Sequence, residues 1–587
     1  MPPRSRKLFL PGLAILLVAV GAAIALVWKR QGPAEAPSGF VPRPKEFVTD
    51  IAKSEGLSDA VGKSVKSTFV KGLRERDSGL ARKGMTADFR ARFPRPAEGR
   101  EHADGSLLIR EYRDLVLQET DRDGFWTIIQ AHMEGLTNIE RTTWRPFTFL
   151  ADLPESSAYC ELHFQLAGPH SDGRRVDLSG SVRVQTVKEG EAWKVRRFEW
   201  IEGTRIEGRS GPWREITDAV GLHFNESDAL VNLKQEVIDN RNNSAFGSLA
   251  VADFNRDGFW DVLASVNRQE SVFFMNDGKG GFTRLPGPNS RRADTPVTWL
   301  AVDLDGDGIE EMVSSLINEY GKGVGWFDLY RRKGAEWERL QRAFEFPNSV
   351  EDRVITVQAI IPVDINRDGL LDLYFCGYSD NDSLKEDFNS LASFDGTPNY
   401  FFINQGNLKF TEEAHARGIV ENQYTFTAKF FDFDFDGDLD LMDCNDYGPN
   451  VLWTNNGTGQ FARTPGHTLE QGSNYTMGVS IADYDNNGTW AIHISNMYSH
   501  AGNRIVPLAA GISDELRETA RVLAQGNQQY ECDPSTRIWR ECSVERCVNW
   551  ADWAWGCNFA DFDNDTDKDL FVTNGFTSHG DASKPDY

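Results

Sequence analysis

The chain has 587 residues, 40% of them hydrophobic, and its 88 Asp and Glu outnumber 63 Lys and Arg for a formal net charge of -25. That length exceeds one hydrophobic core, and that composition excludes a disordered chain. The acid excess argues against a nucleic-acid partner, whose phosphates demand clustered cations. At the N-terminus Arg4, Arg6 and Lys7 precede an uncharged stretch from Leu8 to Val27, closed by Trp28, Lys29 and Arg30. At about 1.5 Å per residue this stretch is long enough to cross a hydrocarbon core of roughly 30 Å. We expect a cytoplasmic stub (1–7), a transmembrane signal anchor (8–28) and a Pro/Gly-rich linker (29–44), with the basic residues holding the N-terminus inside. The alternative is secretion after signal cleavage, for which Ala34-Glu-Ala36 is the nearest small-residue site. On either reading the bulk of the chain is extracytoplasmic, in the periplasm or at the cell surface.

From Asp59 to Arg76 the apolar residues Val61, Val65, Phe69 and Leu73 recur at four-residue spacing, the stripe of an amphipathic helix. Strand-like runs follow at Trp144 to Leu150, Ala158 to Leu166, Arg175 to Val187 and Trp193 to Ile201, with Gly190 punctuating the last hairpin. Helices first and an antiparallel sheet afterwards make residues 45–205 an α+β domain. Its ending, Glu191-Ala-Trp-Lys-Val-Arg-Arg-Phe-Glu199, resembles the cone of nuclear-transport-factor-2-like (SnoaL-type) domains. Glu161, His163 and Gln165 share one strand face while Leu162, Phe164 and Leu166 share the other, which makes His163 a general-base candidate if that face lines a pocket. A solvated sheet face is the plainer reading. His102, His132 and His170 have no metal-binding spacing, and Asp121-Arg-Asp-Gly124 reads as a turn.

An acidic loop then recurs six times. Asp253, Asn255, Asp257 and Asp261 take positions one, three, five and nine around Gly258; Asp303, Asp305, Asp307 and Glu311 repeat the pattern around Gly308. Asp364, Asn366, Asp368 and Asp372 form the third copy, and Asp432, Asp434, Asp436 and Asp440 the fourth and most acidic. Oxygen donors so spaced, with a glycine at the sharp turn, fold around one hard cation, and Ca2+ is the expected ion. The fifth copy, Asp483, Asp485 and Asn487, has Ala491 at position nine; the sixth, Asp561, Asp563, Asp565 and Asp569, has Thr566 in place of the glycine. Four good sites and two doubtful ones are therefore expected. An EF-hand is excluded because position twelve is Ala264, Ser314, Phe375 and Asp443 in the first four copies. The β-prone runs around the loops, such as Val262-Leu-Ala-Ser-Val and Leu373-Tyr-Phe-Cys, read as strands.

Downstream of three loops comes a second phrase: Phe273-Phe-Met-Asn276-Asp-Gly, Tyr400-Phe-Phe-Ile-Asn404-Gln-Gly and Val451-Leu-Trp-Thr-Asn455-Asn-Gly. Each reads as a hairpin, so every repeat supplies four strands, the content of a propeller blade. Together these phrases resemble FG-GAP/VCBS repeats, the integrin-α type of propeller. Asn496-Met-Tyr-Ser-His-Ala-Gly-Asn-Arg504, with Trp553-Ala-Trp-Gly-Cys-Asn-Phe-Ala-Asp561, is similar to the ASPIC/UnbV, cartilage-acidic-protein-like branch. The resemblance implies calcium and a binding or adhesion role for residues 213–587. After Asn574-Gly575 a full repeat would continue into another hairpin, so the chain is expected to be a fragment or to complete its last blade elsewhere. Trp213-Arg-Glu-Ile-Thr-Asp-Ala-Val-Gly-Leu222 has the look of an outermost strand and turn that would close a ring of six or seven blades.

Residues 497–550 form an insertion between the fifth and sixth loops, with a short amphipathic helix from Asp514 to Leu523. Cys532, Cys542, Cys547 and Cys557 read as two disulfides of undetermined pairing, with zinc as the rival; Cys376 and Cys444 read as buried thiols. Trp550, Trp553 and Trp555 together suggest an aromatic ligand platform, although Trp553 and Trp555 fall on a strand where other repeats place core residues, which makes packing the plainer reading for them. In sum, the expected fold is mainly β: a six- or seven-bladed calcium-binding β-propeller preceded by an α+β cone-like domain and one transmembrane helix. The expected function is a membrane-anchored module for a protein or glycan partner outside the cytoplasm, with no nucleic acid. The alternative is an extracytoplasmic enzyme, a polysaccharide lyase or hydrolase on the propeller or a small-molecule enzyme in the α+β domain. Neither a Ser/His/Asp signature nor a phosphate loop occurs to favour it.

Overall fold

The structure is a computed structural model that describes residues 40–104, 107–209, 216–222, 247–266, 271–288, 298–315, 323–334, 336–348, 355–380, 393–470, 474–506, 512–562 and 564–575. The expected anchor and residues 213–215 of the ring-closing segment lie outside them. Among the described residues no helix is long and apolar enough to cross a membrane. The chain divides into two compact units, 1–210 and 211–587.

In the first unit the helix starts earlier than the apolar stripe suggests. Asp50 caps it by accepting from Lys53 N at 2.7 Å, so the helix spans Ile51–Val65 and continues through a π-helical turn, Lys66–Val70, into Lys71–Glu75. Val61, Val65, Phe69 and Leu73 are all buried, as the stripe requires. Asp121 is not a turn residue but the N-cap of a later helix, Arg122–His132, its carboxylate accepting from Gly124 N at 2.9 Å. Strands Ser157–Pro169, Arg174–Glu189 and Ala192–Arg209 form a long antiparallel meander, and Met85–Arg92 runs parallel to the last of them. Register shifts at Ser181/Val182 and Gln185/Thr186 give the sheet its bends. Gly180 and Gly203 face each other across two strands, and the Trp200 ring lies over both, 2.6 Å from where a Cβ would stand. Any side chain at either glycine would expel that ring.

Phe69, Phe89, Phe93, Phe125, Phe164 and Phe198 fill the interior with ring contacts of 5.4 to 6.1 Å. The packed unit reaches back into the expected linker: Phe40 and Val41 are buried, and Arg92 and Arg197 stack on the Phe40 ring.

The second unit contains six antiparallel sheets among the described residues, five of them four-stranded meanders (the fourth with one added short strand) and the last two-stranded. Their first strands are Gly247–Ala252, Trp299–Val302, Ile355–Val363, Tyr424–Phe431, Gly478–Ala482 and Ala554–Ala560. Each of these first strands contacts the first strand of the next sheet. Apolar clusters join neighbouring sheets face to face: Phe254, Phe273, Trp299 and Tyr330 join the first and second, and Phe327, Phe344, Phe375 and Phe402 the second and third. Every sheet is open; none closes on itself among the described residues. Gly221 and Leu222 pack beside Phe282 and the Phe274 cluster of the first sheet, as Gly418 packs beside Phe461 of the fourth.

The two disulfides expected in the insertion do not form among the described residues, where Cys532, Cys542 and Cys557 remain thiols. Cys532 lies opposite Trp539 and Cys542 follows the same strand pair beside Gln529, so three register steps and opposite sheet faces separate the two sulfurs. Cys542 Sγ donates to Gln529 O and Cys557 Sγ to His493 O, while Cys547 is exposed in a turn. Cys376 and Cys444 are buried thiols, as expected.

Candidate functional site

Among the described residues the six acidic loops share one backbone pattern, built by their own side chains. The first aspartate accepts from the amides of positions five and six: Asp253 from Asp257 and Gly258 at 3.0 and 2.8 Å, Asp432 from Asp436 and Gly437 at 3.1 and 3.0 Å. Asp364, Asp483 and Asp561 repeat both bonds, and Asp303 repeats the second. Positions four and six take positive φ in every copy. This is why glycine recurs at position six, and Thr566 there is held at φ 86, a strained setting for a β-branched residue. The sixth loop thus keeps its shape despite losing its glycine.

Position nine is the first residue of the second strand. In register it opposes the last residue before the loop: Ala252 faces Asp261, Val302 faces Glu311, Val363 faces Asp372 and Phe431 faces Asp440. Its carboxylate is buried at the sheet mouth, where one oxygen accepts from the amide of position two, as Glu311 does from Leu304 and Asp440 from Phe433. Burial pushes Glu311 and Asp440 up to about 7 and Asp372 to about 6, against the opposing pull of backbone donors. The fifth loop has the buried methyl of Ala491 at this point, so its set is incomplete, as expected.

Two loops gather three carboxylates each. Ligand atoms of Asp303, Asp305 and Glu311 lie within 4.8 Å of one another, and so do those of Asp432, Asp434 and Asp440. Such acidic clusters can hold a metal ion. In the first and third loops position three is an asparagine whose amide donates to position five, Asn255 to Asp257 at 2.8 Å and Asn366 to Asp368 at 2.9 Å. Fewer charges converge there, although Asp261 Oδ2 is buried without a partner and can take a further bond. In the sixth loop Asp569 accepts from Phe562, while Asp563 lies outside the described residues.

The hairpin asparagines carry a role that turn propensity alone does not reveal. Asn276, Asn404 and Asn455 each donate their backbone N–H to the position-nine carboxylate and their side-chain amide to the carbonyl of position eight. Their recurrence at one place in the phrase is the signal that finds them. Asn455→Ala would orphan the carbonyl of Leu439 and the N–H of Gly459, which Asn455 Oδ1 accepts at 2.9 Å. It is expected to cost about 2 kcal/mol, read as a lower urea midpoint at unchanged slope. Adjacent loops are also tied together. Arg367 reaches Gly437 O, Asn486 reaches Thr566 O, and Arg537 stacks on Phe435.

The other sequence candidates are placed as follows. Glu161, His163 and Gln165 are half-buried on the sheet face opposite Leu162, Phe164 and Leu166. Glu161 accepts from Tyr159 and Arg183, and Gln165 donates to Asp177, so cross-strand partners engage both neighbours of His163. His132 is buried with Nε2 2.8 Å from Pro94 O, and burial pulls it down to about 4. Trp553 and Trp555 are half-buried, Trp555 donating to Gly575 O, while Trp550 is 40% exposed beside Tyr498 and His500.

No curated protein matches the chain. Solved structures align with the N-terminal region. They include a proposed scytalone dehydratase from Novosphingobium aromaticivorans (14% identity, 27% of this chain and 90% of that one, TM-score 0.20). A hexachlorocyclohexane dehydrochlorinase, LinA-type3, from Novosphingobium barchaimii aligns at 8% identity over 28% of this chain and 99% of that one, with a TM-score of 0.20. A Mycobacterium tuberculosis protein of unknown function aligns at 12% identity over 32% and 92%, with a TM-score of 0.18. Residues 253–314, 364–442 and 432–492 match the family profile of the FG-GAP-like repeat. The second unit therefore carries FG-GAP-like repeats.

Proposed function

We propose that the chain is a membrane-anchored, extracytoplasmic interaction module in which calcium rigidifies a β-propeller that presents loops to a protein or glycan partner. The observation that carries this reading is the pair of three-carboxylate clusters at the mouths of the second and fourth sheets, in loops whose backbone is already folded. An all-oxygen donor set on a loop of this kind suits calcium, whereas zinc selects sulfur and imidazole. Six sheets with successive first strands in contact support a propeller of six or seven blades. The narrower ASPIC/UnbV-like membership rests on the Asn496–Arg504 and Trp553–Asp561 phrases.

Binding takes precedence over catalysis because rings fill the interior of the first unit and the partners of Glu161 and Gln165 bind them within the sheet. The insertion at 497–550 is the partner surface: Ile538 is 64% exposed, Val544 61% and Trp550 40%, an apolar display on loops held by a sheet scaffold. A glycan array and a crosslinking screen against extracytoplasmic fractions, each run with calcium and with chelator, test the reading. The purified chain should show a ligand held only with calcium and weakened about tenfold or more by Trp550→Ala. A ligand indifferent to both calcium and the insertion would remove the proposal.

A further inference from the structure

The first unit carries a basic cleft unrelated to the acidic loops. It has a volume of about 460 Å³ and lies between the helical segment 66–75 and the strand segment 142–145. That volume is in the range of small-molecule pockets. Lys66, Lys71, Arg74 and Arg145 line it against a single acid, Glu75.

The helix is built to gather them. In the π-helical turn Lys66–Val70, the N–H of Lys71 donates to the carbonyl of Lys66, a bond five residues back rather than four. That wider turn stacks Lys66 and Lys71 on one side, and Arg74 follows one α-helical turn later. Ser67 and Thr68 hold the turn open by donating their hydroxyls to Ser64 O, both at 2.9 Å. On the opposite wall Arg74 Nε donates to Thr142 Oγ1 at 3.2 Å, which fixes the guanidinium at the cleft and leaves its terminal nitrogens to a ligand. Trp144, 3% exposed, lines the same cleft, and its buried indole N–H has no partner. Val70 supplies an apolar wall beside it. Among the described residues Lys66 has no ion-pair partner, and Lys71 meets only Glu75, at 3.7 Å.

We infer that this cleft binds a small organic oxyanion, a phosphate ester or carboxylate whose charged end meets Lys66, Lys71 and Arg74 and whose body rests on Val70 and Trp144. The inference is independent of calcium binding, because no acidic-loop residue takes part. Calorimetric titration of the full chain in chelator, with phenyl phosphate in one arm and benzene-1,3,5-tricarboxylate in the other, tests it. Saturable binding of either probe supports the site, and the stronger arm names the oxyanion. Lys66→Gln combined with Lys71→Gln should weaken that binding about tenfold or more, while the exposed Lys83→Gln leaves it unchanged. An unaltered near-ultraviolet dichroism spectrum for the double variant separates loss of the site from loss of the fold. No saturable heat with either probe up to roughly 1 mM, or equal affinity in the folded double variant, overturns the proposal.

Discussion

Calcium added to the chelated chain is expected to raise the melting temperature of the repeat unit by roughly 10 °C, and Asp305→Ala with Asp434→Ala should remove most of that rise. Without a cation, carboxylates whose oxygens lie within 4.8 Å repel one another, and folding must hold them together. An ion that binds only the folded loop adds about 2.7 kcal/mol per site at a hundredfold excess over its Kd, so two clusters contribute about 5 kcal/mol. For domains of a few hundred residues each kcal/mol moves the transition by about 2 °C. Asp305 and Asp434 are the informative positions because both are exposed, so an alanine there removes a donor and leaves the sheet mouth intact. Glu311 and Asp440 would confound the test, since their carboxylates also close the loop through Leu304 and Phe433. Scanning calorimetry decides the matter. A transition that ignores calcium, or that responds equally in the double variant, defeats the calcium assignment.

The metal-free chain should lose stability as the pH rises from about 4 to about 7. Five carboxyls in the repeat unit are pushed up by burial: Glu311, Asp440, Asp443 and Asp446 to about 7 and Asp372 to about 6. Asp443 is enclosed by the hydroxyl of Tyr374, the amide of Asn399 and the indole of Trp453, and Asp446 by the hydroxyl of Tyr378. Those donors favour the charged form, but they do not offset removal from water.

In the unfolded chain all five titrate near 4. Between about 4 and 7 the folded state therefore holds protons that the unfolded state has released, and stability falls as pH rises through that window. The contribution is complete below about 4 and gone once the pH passes the folded values. Each fully shifted group has a slope of about 1.4 kcal/mol per pH unit, so the summed decline is large. Calcium should flatten the part owed to Glu311 and Asp440 by replacing the proton with a cation. Asp446→Asn, which cannot ionise, should flatten a further part. Melting curves in chelator at three pH values are sufficient, and a level or rising profile contradicts the account.

Much of the acidic-loop geometry is legible in the sequence because it is local. Asp253 folds its loop through amides four and five residues away, and the glycine at position six answers to a positive φ in the same span. The second sheet was harder to read. Its hairpin, Gly323–Lys333 and Glu336–Asn348, lacks the Asn/Gly phrase and is bent at Phe327/Leu329, where buried Asp328 pairs with Arg339. Closeness along the chain points to disulfides among these cysteines, but strand register puts Cys532 and Cys542 on opposite faces. Asp121-Arg-Asp-Gly124 has the residues of a turn, yet Asp121 caps a helix, because the packing of Phe125, Trp126, Ile128 and Ile129 carries the chain on from Gly124.

The sequence alone determined where each acidic loop lies, which side chains enter it, and that short strands flank it, since those features depend on spacing over fewer than a dozen residues. Packing in three dimensions is what buries the position-nine acids, lets Asn276, Asn404 and Asn455 clasp them, and brings Lys66 and Arg145 to one cleft. Those outcomes depend on register between strands and on packing between elements far apart in the chain. Burial and the partners it brings, not residue type, set the charge state and neighbours of each group.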